Sequence, residues 1–419
     1  MKKLMLGLVG VALAADCCTC DCKGPKESGT TFAKDALQPY VDKGELPGAI
    51  SVFYKDGVQE TCCVGYADVD TKRPITMDDV YMQCSQTKGF CGVTVAKLVE
   101  EGKLKLDDPV SKYLPEFGTL WVETSNSNGV KTLVKAKSVL TVRMCLNHMG
   151  GFPFELPNGR AMGGWSRRMP LRSVAATAAS QPILFDPGAR ASYSNVGIDI
   201  GAAVVEVVAG MRWEDYLKKT VLEPLGMTST GFRPTDAQVE KKVELYDVKG
   251  GEKAKWRRQS EWMQRPYNDD RVFPSAGAGL WTTANDQLKF YKMLMNLGLG
   301  ENGVRILEER TVKELLAKSS RPKGIKFRWD DGTVDETYSL YSLGLVAERA
   351  GDENAWFGHG GAWGTNCMVN WHKRELKLWA VQLCGGPRPW VRARDAAADK
   401  FFKRTIDNSG VDAYTGRTE

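Results

Sequence analysis

The chain has 419 residues, 42% of them hydrophobic and 26% charged. That composition supports a large buried core, enough for roughly two or three domains at ~150 residues each, and excludes a disordered, collagen-like or coiled-coil protein. The formal charge of +6 is spread over 57 basic and 51 acidic residues without a long basic run, which gives nucleic-acid binding no support.

Lys2 and Lys3 precede an apolar stretch from Leu4 to Ala15 that closes on Ala12-Leu13-Ala14. The stretch is too short for a membrane span of about 20 residues and reads as a cleaved export signal, residues 1–15, so the mature chain is expected in the periplasm or outside the cell. Residues 16–31 read as a flexible tail holding Cys17, Cys18, Cys20 and Cys22, four of the eleven cysteines. A lipid-anchored cysteine requires a small residue before it, and Asp16 stands there, so an anchor is disfavoured. The other seven cysteines lie in apolar contexts and read mostly as small core residues. An odd total leaves at least one thiol unpaired or paired between chains.

Phe32 to Lys43 reads as a helix, followed by a hairpin of Gly48–Tyr54 and Val58–Tyr66 turning at Asp56-Gly57. From Ser85 to Glu101 the apolar pattern predicts a mostly buried helix that stops at Gly102. Leu120–Thr124 and Val130–Val134 predict a second hairpin of unknown use. Helices are predicted at Thr141–Leu146, Leu171–Ala179, Val196–Ala209, Trp213–Leu222 and Asp286–Leu297. Two segments without clear periodicity, Phe152–Met169 and Tyr246–Pro274, read as loops, either plain surface or pocket-covering. Gly364–Trp371 and Glu375–Leu383 predict a hairpin around His372-Lys373-Arg374, and Trp390–Phe402 a last helix. A helical block interrupting an α/β unit implies two lobes with a cleft between them.

With only His148, His359 and His372 in the chain, and none at metal-sharing spacing, no metal centre is expected. No G-x-S-x-G elbow or G-x-x-x-x-G-K-[ST] loop occurs. Ser85-Gln86-Thr87-Lys88 fits S-x-x-K, which on a helix turns hydroxyl and amine to the same side. The plain alternative is a capping serine beside a solvated lysine. Ser320-Arg321-Pro322-Lys323 also fits, but Pro322 breaks a regular turn. Tyr193-Ser194-Asn195 is the one Y-x-N, placed at a helix entrance. A tyrosine near an ammonium can lose its proton below ~10 and act as a base, although a buried tyrosine with a satisfied hydroxyl fits the pattern too. His359-Gly360-Gly361-Ala362 leads into a strand, where glycines admit another backbone or a ligand. His148 ends a helix-like run and reads as a cap or packing residue.

In this order the motifs resemble the serine β-lactamase-like superfamily, in its class C β-lactamase, D-amino-acid peptidase and family VIII carboxylesterase branch. Flanking segments share the likeness: Gly65-Tyr66-Ala67-Asp68, Leu106-Asp107-Asp108-Pro109-Val110, Asn147-His148-Met149-Gly150-Gly151 and Ser275-Ala276-Gly277-Ala278-Gly279-Leu280. The resemblance implies an α/β (α+β), two-lobed β-lactamase-like fold: an antiparallel sheet flanked by N- and C-terminal helices, residues 32–80 and 270–408, plus a mostly helical lobe, residues 81–269, carrying Ser85 at the lobe interface.

It also implies acyl transfer through a serine ester, with no cofactor, on a small ester or amide substrate. Ser85 would attack the carbonyl, Lys88 and Tyr193 would move its proton with their division of labour open, and Asn195 would orient the lysine and the substrate. The N–H groups of Ser85 and Ala362, beside Gly361, would hold the oxyanion. His359 stands where β-lactamases keep the lysine of K-T-G. The loss of that fixed cation favours ester hydrolysis over β-lactam substrates, with a class C-like β-lactamase or a D-amino-acid peptidase as the alternatives and a non-catalytic penicillin-binding or scaffold role the least favoured.

Overall fold

At the turn between the first two long strands, Asp56 has φ +47° and Gly57 φ +88°. Two successive left-handed residues give the twist that matches a tight antiparallel hairpin. The computed structural model describes residues 26–27, 32–125, 128–156, 169–248, 256–258, 273–322, 324–328, 334, 340–349, 351–384 and 388–403. The sequence expectation for residues 1–15 lies outside them. Within the tail, Lys26–Glu27 runs parallel to Val58–Gln59 as a short strand, a local departure from the flexible reading.

Helix α1 (Phe32–Asp42) leads into β1 (Gly48–Lys55) and β2 (Val58–Asp68). A short turn then opens α2 (Thr87–Glu100), and α3 (Asn195–Ala209) and α4 (Ala284–Met295) follow much later. Strands β3 (Phe357–Gly361), β4 (Thr365–Asn370) and β5 (Glu375–Ala380) precede the last helix, α5 (Trp390–Phe402). The sheet order is β2-β1-β5-β4-β3 with every one of these pairs antiparallel. An early strand and a late one therefore meet at the middle of the sheet, where β1 pairs with β5.

Alternation along the strands divides the core. Ala49, Phe53 and Trp379 face α1 and α5, joining Leu37, Trp390 and Phe401. Ile50, Val52, Leu376 and Leu378 face the other way, into the larger cluster that holds α2, α3 and α4. There Phe90 of α2 stacks on Phe290 of α4 with ring centres 3.7 Å apart. Gly92 admits the crossing of α2, since a Cβ on it would lie 1.8 Å from Leu343 O. The structure is thus mixed helix and antiparallel sheet, as expected from the sequence.

Several boundaries shift for local reasons. Thr283 Oγ1 accepts from Asp286 N, so α4 starts two residues before the predicted Asp286 and ends at Met295. Trp213–Leu217 is α-helical and continues as a wider turn over Lys218–Leu222. The predicted strand Glu375–Leu383 stops at Ala380, and Leu383–Cys384 instead pairs with Tyr246–Val248. That segment, expected to be loop, is a small sheet completed by Trp256–Arg258. Most of Phe152–Met169 and Tyr246–Pro274 lies outside the described residues. The hairpin of Trp121–Ser125 and Lys131–Lys135 is present as predicted. Cys62, Cys84, Cys91, Cys145 and Cys367 are buried thiols outside any disulfide and Cys63 is half-buried. No helix among the described residues is long and apolar enough to cross a membrane.

Candidate active site

Ser85 occupies a tight 3-10 turn, Cys84–Gln86, that runs into α2. The turn is entered through Cys84 at φ +51°, a conformation that costs a non-glycine residue on the order of 1–3 kcal/mol. Four hydrogen bonds over-determine it. Thr87 Oγ1 donates to Cys84 O at 2.7 Å, Gln86 Nε2 to His359 O at 3.1 Å, Gln287 Nε2 to Gln86 Oε1 at 2.6 Å, and Thr365 Oγ1 to Gln83 O at 3.2 Å. Two of these tie the turn to β3 and β4, so the serine is held by the sheet edge as well as by its own helix.

The three-residue spacing brings Lys88 Nζ to 3.1 Å from Ser85 Oγ. Lys88 is fully buried and donates to Asn195 Oδ1 and to Gly277 O, each at 2.6 Å. An ammonium has three protons and no lone pair, whereas an amine has two and one. With both oxygens served, the neutral amine turns its lone pair to the Ser85 hydroxyl. Burial favours that neutral form, lowering Lys88 to about 7 against the opposing pull of the Asp199 charge.

Tyr193 precedes Ser194, whose hydroxyl caps α3 by accepting from Gly197 N at 2.9 Å. Lys88 Nζ sits 4.6 Å from the Tyr193 ring centre, and the Tyr193 hydroxyl lies 3.4 Å from His359 Nε2. His359 is fully buried in β3, with Tyr341 Oη 2.9 Å from the same nitrogen. Its Nδ1 meets Gly360 O, an acceptor only, so Nδ1 carries the proton and the single lone pair of Nε2 accepts from Tyr341, the nearer hydroxyl. Burial, reinforced by the Lys88 charge, depresses His359 to about 3. The ring is neutral, and its Nε2 faces the hydroxyls of Tyr193 and Tyr341.

Gly361 is glycine because β3 runs against the nucleophile's turn; a Cβ would lie 2.3 Å from Gln83 O and 3.3 Å from Cys84 Cβ. Ala362 follows at the exposed strand end, opening the turn Ala362–Gly364. The structure thus gathers Ser85, Lys88, Tyr193, Asn195, His359 and Gly361 around one centre with Ala362 at its edge. Ser320, the competing S-x-x-K serine, accepts from Asn147 Nδ2 at 3.2 Å, and Lys323 lies outside the described residues. His148 is a packing residue as read, but of the site: its ring centre lies 4.4 Å from that of Tyr193 and 4.6 Å from that of Tyr341, and its Nδ1 accepts from Ser194 N at 3.2 Å.

Sequence reasoning missed Asp199, Gly277 O, Tyr341 and Gln86. An aspartate inside the apolar run Val196–Val205 is a signal for the first; Gly277 and Gln86 lie within motifs whose spacing assigns them no contact, and nothing local marks Tyr341. Among the described residues no group of three His, Cys, Asp or Glu side chains suits a metal ion.

A serine at the head of a helix, a buried amine one turn on and a sheet edge beside both fit the arrangement of the β-lactamase-like serine hydrolase superfamily. The chain belongs to the Beta-lactamase family, whose model matches residues 33–398. It is 27% identical over 401 residues to Protein Rv1367c of Mycobacterium tuberculosis (strain ATCC 25618 / H37Rv), covering 90% of this chain and 98% of that protein. Its fold is similar to that of EstCE1, a hydrolase with promiscuous acyltransferase activity (TM-score 0.65, 21% identity, 88% of this chain and 97% of that one). It is similar also to that of a family VIII carboxylesterase (TM-score 0.64, 21% identity, 88% and 96%).

Proposed function

We propose that the chain is an exported carboxylesterase that acts on small neutral esters through an acyl-enzyme on Ser85. The observation that carries the reading is the buried Lys88 Nζ, 3.1 Å from Ser85 Oγ and 2.6 Å from each of Asn195 Oδ1 and Gly277 O. Ser85 Oγ bonds to the ester carbonyl carbon while its proton passes to Lys88 or Tyr193. The resulting oxyanion is held by the Ser85 and Ala362 N–H groups, each worth roughly 3 kcal/mol. Collapse breaks the bond to the alkoxy oxygen, which leaves as the alcohol with that proton. Water then attacks the acyl-serine by the same route, releasing the acid and restoring the Ser85 hydroxyl.

The preference for neutral substrates rests on His359. A lysine at this position would present a permanent cation to a substrate carboxylate, whereas this histidine is fully buried and held near 3. No fixed positive charge from it reaches the acyl pocket. The test is kcat/KM for short p-nitrophenyl esters, a chromogenic cephalosporin and D-amino-acid p-nitroanilides, with phosphonate labelling located by peptide mass. Ester turnover in the wild type, and neither turnover nor label at Ser85 in Ser85→Ala, is the expected result. Faster hydrolysis of the cephalosporin or the D-amides would replace carboxylesterase with β-lactamase or peptidase, and a label elsewhere would displace Ser85.

A further inference from the structure

Asp199 is an acid in the wrong place for a structural helix. It lies in α3 between Ile198 and Ile200, is 3% exposed, and plays no part in the acyl-transfer steps above. A buried carboxylate without compensation is costly, so its partners show what it is for. Ser275 Oγ donates to it at 3.1 Å and Gly277 N donates to it at 3.1 Å. Gly277 O, the other end of that same residue, accepts from Lys88 Nζ at 2.6 Å. Gly277 must be glycine for this to happen, since a Cβ would lie 2.8 Å from Asn195 Cβ and 2.9 Å from Asn195 Oδ1. Asp199 therefore grips the backbone of one residue from the N–H side while Lys88 is gripped by its carbonyl. Asn195, one helical turn before Asp199 on α3, supplies the second oxygen to the amine.

We propose that Asp199 is a positioning residue of the acyl-transfer centre: it fixes Ser275–Gly277 so that the Gly277 carbonyl aims Lys88 at Ser85, and its charge governs how readily Lys88 holds a proton. The inference rests on the reading of Ser85 and Lys88 as nucleophile and proton carrier.

The electrostatics are consistent with the geometry. Burial raises Asp199 to about 7, against the hydrogen bonds from Gly277 and Ser275 and the charge of Lys88. Burial lowers Lys88 to about 7 while Asp199 pulls it up. The ionisable groups around the pair are Tyr193, whose ring centre lies 4.6 Å from Lys88 Nζ, Cys84 and Cys91, beside and on α2, and Cys145 from the helix Val142–Leu146; burial pushes the Cys91 and Cys145 thiols up, so both stay neutral. His148 and His359, which also sense the Lys88 charge, are held neutral by burial. Lys88 is thus the cation that Asp199 faces. Near neutral pH the two share protons, and removing the carboxylate charge makes Lys88 release its proton at lower pH.

The experiment measures kcat, KM and their ratio for p-nitrophenyl butyrate from pH 5 to 9 with the full chain as wild type, Asp199→Asn and Ser275→Ala, alongside thermal melts. Asp199→Asn keeps the side-chain shape. It is expected to lower kcat about tenfold, with KM within twofold, and to move the acid limb down by about one pH unit. Ser275→Ala removes one donor to the carboxylate, weakens its ionised form, and should move the limb the same way by less. A merely structural aspartate would lower the melting temperature and leave the limb of the surviving enzyme where it was. A folded Asp199→Asn with the wild-type limb overturns the proposal. If that variant does not fold, an unmoved limb in Ser275→Ala overturns it instead. Ser85→Ala serves as the control: hydrolysis surviving there refutes the nucleophile assignment itself, a failure separate from that of Asp199.

Discussion

Replacing His359 by glutamine should make the protein less sensitive to acid, and the size of the change follows from where the ring is buried. In the unfolded chain a histidine titrates near 6.5, whereas in β3 burial and the Lys88 charge hold His359 at about 3. Between those values the unfolded state takes up a proton that the folded state refuses, so folding loses stability as pH falls. Above about pH 7 the ring is neutral in both states and contributes no pH dependence. The full interval corresponds to about 5 kcal/mol at 1.36 kcal/mol per pH unit, comparable to the 5–15 kcal/mol stability of a typical domain.

Glutamine fills similar space, offers an oxygen to the Tyr341 hydroxyl, and cannot titrate. Urea unfolding followed by tryptophan fluorescence from pH 4.5 to 8 gives the difference in stability between wild type and His359→Gln. In that difference the titrations of groups that do not interact with His359 cancel. It should be flat above pH 7 and decline by about 1.4 kcal/mol per unit below 6.5, to the disadvantage of the wild type. A difference that does not vary with pH would refute the argument. The same reasoning makes His359→Lys a poor route to β-lactam turnover, because it buries a second cation beside Lys88.

Four further outcomes are expected. Gly361→Ala should lower kcat/KM at least a hundredfold by forcing β3 off Gln83 and Cys84 and with it the Ala362 N–H, which ester kinetics on the folded variant will check. Gly92→Ala puts a methyl group 1.8 Å from Leu343 O and should cost about 1–3 kcal/mol in chemical denaturation. Ser320→Ala should keep wild-type turnover, because this serine bonds to Asn147; lost activity would reopen the second S-x-x-K. Prolonged EDTA treatment should leave esterase activity unchanged, and activity lost to the chelator and restored by zinc would contradict the metal-free reading.

What was legible in the sequence was whatever depends on neighbours a few residues apart. Helical periodicity places Ser85 and Lys88 on one side of one helix, Asp56-Gly57 marks its hairpin turn, and the order of S-x-x-K, Y-x-N and H-G-G carries the superfamily. The helix starts at Ala284, two residues before the expected Asp286, because the Thr283 cap, an interaction of one hydroxyl with one N–H, outweighs the apolar pattern. Tertiary packing alone decided the contacts that tune these groups. Lys88 meets Asn195 107 residues away and Gly277 189 residues away, distances over which spacing carries no geometric information. Whether an amine is a solvated cation or a base near 7, and whether His359 faces substrate or Tyr341, depends on burial and on the hydrogen-bond partners at hand. Those are properties of the assembled core, because desolvation acts on a group only once the rest of the chain has closed around it.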